Sequence, residues 1–158
     1  MQEWVDKLVT PMAKILYPLF VGKGLDSHHA FVVEYKVGKD EKLDFHVDDS
    51  EVTLNVCLGR IFTGGTLFFR GIRCAQHQQT DPQENELFDF GHLQGRGILH
   101  IGRHRHGANK IKSGERFNLV CFMYIYICGN VTINRFYGAE VHLLENQNIL
   151  QVIFQCVV

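Results

Sequence analysis

From Ala30 to Ile127 the apolar residues come in short runs, several alternating with polar residues, and Gly, Asp or Asn closes each run. That punctuation most constrains the fold, because it leaves no stretch between the runs long enough for a helical period and marks strands joined by turns. The pattern predicts strands at Ala30–Val37, Leu43–Val47, Val52–Leu58, Gly65–Arg70, Asn85–Phe90, Gly97–Ile101, His106–Ile111 and Arg116–Ile127. Eight such strands imply a mainly β fold, a sandwich or closed barrel of the jelly-roll type. Only the N-terminus reads otherwise. Trp4, Val5, Leu8, Val9, Met12, Ile15 and Leu16 recur at helical spacing and predict an amphipathic helix over Glu3–Leu16, kinked by Pro11 and ended by Pro18.

With 158 residues the chain holds one domain with a genuine core rather than two. A formal net charge of -1 gives no basic stripe, so no nucleic-acid partner is expected. The cysteines at 57, 74, 121, 128 and 156 are odd in number and contain no C-x-x-C pair, which suits a reducing compartment better than a disulfide framework. The first residues lack the basic start and apolar core of a signal peptide, and the apolar run Leu119–Cys128 is too short to span a bilayer. A cytoplasmic or nuclear location, with no membrane partner, is the expectation.

The chemistry concentrates in Leu43-Asp44-Phe45-His46-Val47-Asp48-Asp49. Residues two apart on a strand share a face, so His46 and Asp48 are expected to project together while Asp49 points away. One imidazole and one carboxylate make an incomplete metal site, and taken alone an H-x-D at a strand end is most often surface. A third ligand is available downstream, where His100, His104 and His106 all stand within a few residues. Two histidines and one carboxylate on one face of a metal leave positions open, the arrangement of non-haem Fe(II) oxygenases. Alternation alone does not choose among the three histidines.

Arg116 supplies a further anchor. Gly114 is expected to make a turn that lays the strand of His106 beside the strand starting at Arg116, so that the guanidinium can grip a carboxylate at the inner end of a pocket. The ordinary alternative pairs Arg116 with Glu34 or Glu51. Thr53, Asn55 and Asn118 alternate on strands near this pocket and are candidates to hydrogen-bond a cosubstrate or orient a ligand. Arg103, Arg105, Lys110 and Lys112 would make the surroundings of His106 positive. His28, His29, His77, His92 and His142 are read as structural or exposed.

Several of these segments resemble one family. Phe31-Val32-Val33-Glu34-Tyr35, His46-Val47-Asp48, Thr53-Leu54-Asn55-Val56-Cys57-Leu58-Gly59 and Gly64-Gly65-Thr66-Leu67-Phe68-Phe69 are similar to the prolyl 4-hydroxylase and procollagen-lysyl hydroxylase group of 2-oxoglutarate- and Fe(II)-dependent oxygenases. The nearest likeness is the subgroup of 2-oxoglutarate and iron-dependent oxygenase domain-containing protein 2, through Leu25-Asp26-Ser27-His28, Phe62-Thr63-Gly64-Gly65 and His106-Gly107-Ala108. In that family the distal histidine precedes the cosubstrate-binding basic residue by ten positions, which selects His106 with Arg116.

The resemblance implies a double-stranded β-helix holding Fe(II) on His46, Asp48 and His106. It implies 2-oxoglutarate on Arg116, with Tyr35 near the cosubstrate beside Thr53 and Asn55. O2 is the oxidant, succinate and CO2 are the products, and L-ascorbate restores over-oxidised iron. The expected reaction is hydroxylation of a protein side chain; the alternative is a jelly-roll binding module or truncated isoform that keeps the metal site without turnover. A generic cupin-like metal protein gives Arg116 no role.

The expected organisation is a helix and turn over 1–24, a dioxygenase domain over 25–127 and a divergent tail over 128–158. The resemblance ends near Met123, so the tail reads as an alternative transcript end, and a lid or recruiting region before the domain is expected to be missing.

Overall fold

The computed structural model describes residues 2–22 and 24–125, so the end of the last expected strand and the expected tail lie outside the described residues. Among the described residues, nine strands build two antiparallel sheets. The larger sheet runs in the order β1 (Ser27–Lys36), β9 (Ile111–Tyr124), β3 (Val52–Gly59), β7 (Gly97–Ile101), with a short β4 (Phe62–Gly64) added along the first part of β9. The smaller sheet runs β2 (Leu43–His46), β8 (His104–Ala108), β5 (Leu67–Ile72), β6 (Leu87–Phe90). This is the jelly-roll arrangement that the strand pattern implies, and the double-stranded β-helix that the family resemblance implies.

Alternation along the central strands of the larger sheet feeds two cores. Val52, Leu54, Leu99, Cys121 and Met123 point to one face and pack against Val5, Val9, Ala13 and Val21 of the N-terminal helical segment. The other face turns toward the smaller sheet, where Tyr35, Ile98 and Ile111 meet Leu67, Phe69, Phe90 and Ala108. The residues interleaved with the first set, Thr53, Asn55, His100, Arg116 and Asn118, are polar and all buried. Strands that bury both faces with polar groups on one of them mark that inner face as a site, because a buried polar group is costly unless something pairs with it.

Four elements differ from expectation. The helical segment is not one kinked helix: it runs Gln2–Trp4, a π-helical turn Val5–Val9, then Thr10–Leu16, and Pro18 opens a further turn, Pro18–Val21. Pro11 has no N–H to give to the preceding turn, and the Thr10 N–H reaches back to the Val5 carbonyl, the wider step of a π-turn. Gly114 does not turn the chain. It sits inside β9 with φ 77°, opposite Phe62, and the strand continues past it. Strands β8 and β9 therefore do not form a hairpin; they belong to different sheets and part at Asn109 and Lys110. Finally, strand pairing ends at His46, so Asp48 stands just beyond β2 rather than on it.

Candidate functional site

His46 and His106 are direct cross-strand partners on β2 and β8, and their rings lie 4.4 Å apart between centroids. Asp48 reaches them from the turn after β2. Its N–H donates to the Gly102 carbonyl at 2.8 Å, and the Gly102 N–H donates to Glu51 at 3.1 Å, which ties that turn to the one between β7 and β8. The approach is close enough that a Cβ on residue 102 would stand 2.0 Å from the Ser50 carbonyl oxygen, so only glycine fits. As a result Asp48 Oδ1 lies 3.4 Å from His46 Nε2 and 3.6 Å from His106 Nε2. The three ligand atoms fall within 4.8 Å of one another.

The partners of each side chain set its chemistry. His46 Nδ1 is 2.7 Å from the Asp44 carbonyl oxygen and His106 Nδ1 is 2.8 Å from that of His104. A carbonyl only accepts, so both Nδ1 atoms carry the proton and both Nε2 lone pairs face Asp48, as metal-ligating histidines require. Burial drives His106 down to about 3, which keeps it neutral. His46 is raised instead, chiefly by its contact with Asp48. Burial works against ionising Asp48, but hydrogen bonding from His46 and Thr53, with the charge of His106 and His100 when those rings are protonated, holds its carboxyl at about 2. Thr53 Oγ1 donates to Asp48 Oδ2 at 2.7 Å, leaving Oδ1 to face the histidines. The cluster thus brings two imidazole Nε2 atoms and one carboxylate to a point, a donor set that suits a divalent metal.

A cavity of about 70 Å³ opens from this cluster between the sheets, lined by His46, Asp48, His106, Tyr35, Thr53 and Asn55 with an apolar wall that includes Val33, Leu67 and Val120. Arg116 lies beside it on β9, fully buried, facing Tyr35 in the pairing of β1 with β9. Its guanidinium carbon is 4.3 Å from the centre of the Tyr35 ring and 5.6 Å from that of Phe62. Tyr35 thus meets it through the ring rather than through a hydrogen bond of ordinary geometry. Arg116 Nη1 donates to the Gly65 carbonyl, while Nε and Nη2 have no hydrogen-bond partner. Neither Glu34 nor Glu51 pairs with it. Burial opposes its charge, yet an arginine stays protonated in a protein. A buried guanidinium with no carboxylate partner and two nitrogens free is a site for an anion, a carboxylate above all.

Asn55 and Asn118 are linked, Asn118 Nδ2 donating to Asn55 Oδ1 at 2.9 Å. Asn118 also lies 3.2 Å from His92 Nδ1, whose Nε2–H donates to the Arg96 carbonyl at 3.1 Å. Burial drives His92 down to about 4, with Arg116 pushing the same way. His92 is thus buried near Arg116, a place nothing in its local sequence suggested. The basic residues around His106 are largely committed elsewhere. Arg105 turns to the outer face and donates to the carbonyls of Arg70, Gln78 and Thr80, and Lys110 pairs with Glu41 at 2.5 Å. Arg116 is a buried cation beside the pocket.

No family model matches the chain. It is 52% identical over 120 residues to the 2-oxoglutarate and iron-dependent oxygenase domain-containing protein ICU11 of Arabidopsis thaliana, covering 76% of this chain and 30% of that protein. It is 45% identical over 118 residues to 2-oxoglutarate and iron-dependent oxygenase domain-containing protein 2 of Homo sapiens, covering 75% of this chain and 32% of that protein. This chain therefore spans about a third of the length of these curated relatives. In fold it is similar to a 2OG-Fe(II) oxygenase family oxidoreductase from Burkholderia pseudomallei, with a TM-score of 0.57 and 20% identity over 82% of this chain and 56% of that one. It is also similar to a Pseudomonas putida prolyl-4-hydroxylase, with a TM-score of 0.51 and 16% identity over 69% of this chain and 56% of that one. The chain belongs to the 2-oxoglutarate- and Fe(II)-dependent oxygenase superfamily, with an intact His-Asp-His triad. Among the described residues no helix is long and apolar enough to cross a membrane.

Proposed function

We propose that this chain is the catalytic core of an Fe(II)- and 2-oxoglutarate-dependent dioxygenase that hydroxylates a protein side chain, allied to the subgroup of 2-oxoglutarate and iron-dependent oxygenase domain-containing protein 2. The observation that carries this reading is the placement of two complementary features about one cavity: a triad of metal-ligating atoms that lines it, and beside it a fully buried guanidinium with two nitrogens free. His46, Asp48 and His106 would hold the iron, and Arg116 the far carboxylate of 2-oxoglutarate. Bound there, iron supplies dioxygen activation coupled to decarboxylation of the cosubstrate to succinate and CO2.

The remaining work falls to the chain's own side chains. Thr53 fixes the Asp48 carboxylate, and the Asp44 and His104 carbonyls fix the tautomers of the two histidines. Tyr35 holds the guanidinium plane from one side, and Asn55, held by Asn118, presents a polar group to the cavity. The apolar wall limits water around the reacting groups. L-ascorbate belongs to this reading as the reductant that restores over-oxidised iron. Residues 25–127 form the dioxygenase domain in this reading, and its location is cytoplasmic or nuclear.

Succinate formation from 2-oxoglutarate, measured with Fe(II) and ascorbate and without added substrate, tests it. Slow turnover by the wild type, abolished in both His46→Ala and Arg116→Ala, is the expected result. Equal turnover in all three proteins would contradict it.

A further inference from the structure

A fourth histidine stands against the triad without joining it. His100 lies on β7, opposite Thr53 in the pairing of β7 with β3, and is 2% exposed. Its ring meets the His106 ring edge to face, 4.6 Å between centroids, and the Phe69 ring at 5.2 Å. It is not among the residues that line the cavity, and its nitrogen is not one of the three ligand atoms grouped within 4.8 Å.

The hydrogen bonding of His100 fixes which way its dipole points. Nδ1 is 3.0 Å from the Ile101 carbonyl oxygen, so Nδ1 carries the proton and Nε2 is a bare lone pair. That lone pair lies 3.9 Å from Asp48 Oδ2 and has no hydrogen-bond partner among the described residues. The nearby hydroxyl of Thr53 is spent on Asp48 Oδ2. Two acceptors face each other in a buried, low-dielectric place, which is unfavourable as it stands. A divalent cation held by His46, Asp48 and His106 would offset this repulsion, because its positive charge would stand near both the carboxylate and the His100 lone pair.

We propose that His100 is a positioning residue of the metal centre: its Nε2 lone pair, aimed at Asp48, raises the affinity of the His46, Asp48 and His106 cluster for a divalent cation without ligating it. This rests on the reading of that cluster as a metal site. The arrangement makes the metal-free fold carry an unsatisfied acceptor that metal binding compensates, so His100 couples metal occupancy to stability.

Co(II) titration of the metal-free full chain, with the thermal midpoint and the visible spectrum of the Co(II) form, tests the proposal on wild type, His46→Ala, His100→Leu and His100→Gln. His100→Leu is expected to weaken Co(II) binding about ten- to a hundredfold, the range seen when partners of metal ligands are removed. Its metal-free midpoint stays at or above that of the wild type, and the Co(II) spectrum keeps its shape. His100→Gln, whose amide oxygen can replace Nε2 as acceptor, is expected to recover most of the affinity. If leucine unfolds the chain, His100→Asn, polar but too short to present an acceptor there, is expected to show the same loss of affinity.

Wild-type affinity in both His100→Leu and His100→Asn would overturn the proposal. So would a joint loss of midpoint and affinity that glutamine does not rescue, which marks a packing role, or a changed spectrum, which marks a ligand. Unchanged Co(II) binding by His46→Ala would instead overturn the metal-site reading itself.

Discussion

Three side chains that line the cavity converge with lone pairs and a negative charge; beside the cavity a buried guanidinium keeps two nitrogens, Nε and Nη2, without hydrogen-bond partners. The triad is built on the smaller sheet and a turn, and His46 keeps its side chain 32% exposed. Arg116 is built on the longest strand of the larger sheet and is fully buried. In the proposed reading each sheet contributes one end of the cleft, and a ligand with two anionic or chelating ends must match the span between them. The contrast also separates the energetics: carbonyls and Thr53 fix the two ligand histidines and the Asp48 carboxylate from within, whereas Nε and Nη2 of Arg116 have no partner.

That separation can be broken or sharpened by substitution. Asp48→Ala should have the largest effect, lowering Co(II) affinity by more than about a hundredfold in a metal titration, beyond what loss of a ligand's partner causes. Arg116→Met should come next. Two charge-assisted hydrogen bonds at about 1.5–3 kcal/mol each imply a loss in 2-oxoglutarate affinity of about a hundredfold or more, measured calorimetrically on the Co(II) form. Co(II) affinity should not change, and the metal-free thermal midpoint should hold or rise, since a buried unpaired charge is removed. A fall in Co(II) affinity for this variant would break the two-ended picture.

Thr53→Val keeps the side-chain shape but removes the donor to Asp48, and should weaken Co(II) about tenfold, at the low end for a ligand's partner. A loss of 2-oxoglutarate affinity instead would move Thr53 to the other end. Tyr35→Phe should have the smallest effect, under about threefold on 2-oxoglutarate affinity, because the ring contact worth about 0.5–2 kcal/mol survives. Tyr35→Leu, which removes that ring, should cost more in the same titration.

Much of this was legible in the chain because strand alternation is a local property. The positions of β1, β3, β5 and β7 follow from it to within a few residues. What failed was also local in form but decided by tertiary context. Gly114 reads as a turn because glycine tolerates positive φ; in the fold the same freedom is used inside β9, where β4 pairs alongside. Asp48 reads as a strand residue, but the turn near Gly102 captures its backbone and carries it off β2.

The residues hardest to find were His92 and His100. His92 gains its place from Asn118, and His100 from Asp48 and His106, partners supplied by other strands. Spacing along one strand carries no trace of such contacts. A polar residue interleaved with apolar ones on a strand buried on both faces was the available signal, and Leu99-His100-Ile101 carries it.

The central claim is that one cleft holds a metal at the triad and an anionic cosubstrate end at Arg116. Titrating 2-oxoglutarate calorimetrically into the full chain, with and without Co(II), in wild type and Arg116→Met, tests it most directly. The account predicts binding that is strongest with metal and arginine together, and weakened when either is removed. Equal 2-oxoglutarate affinity in the metal-loaded wild type and Arg116→Met would contradict it.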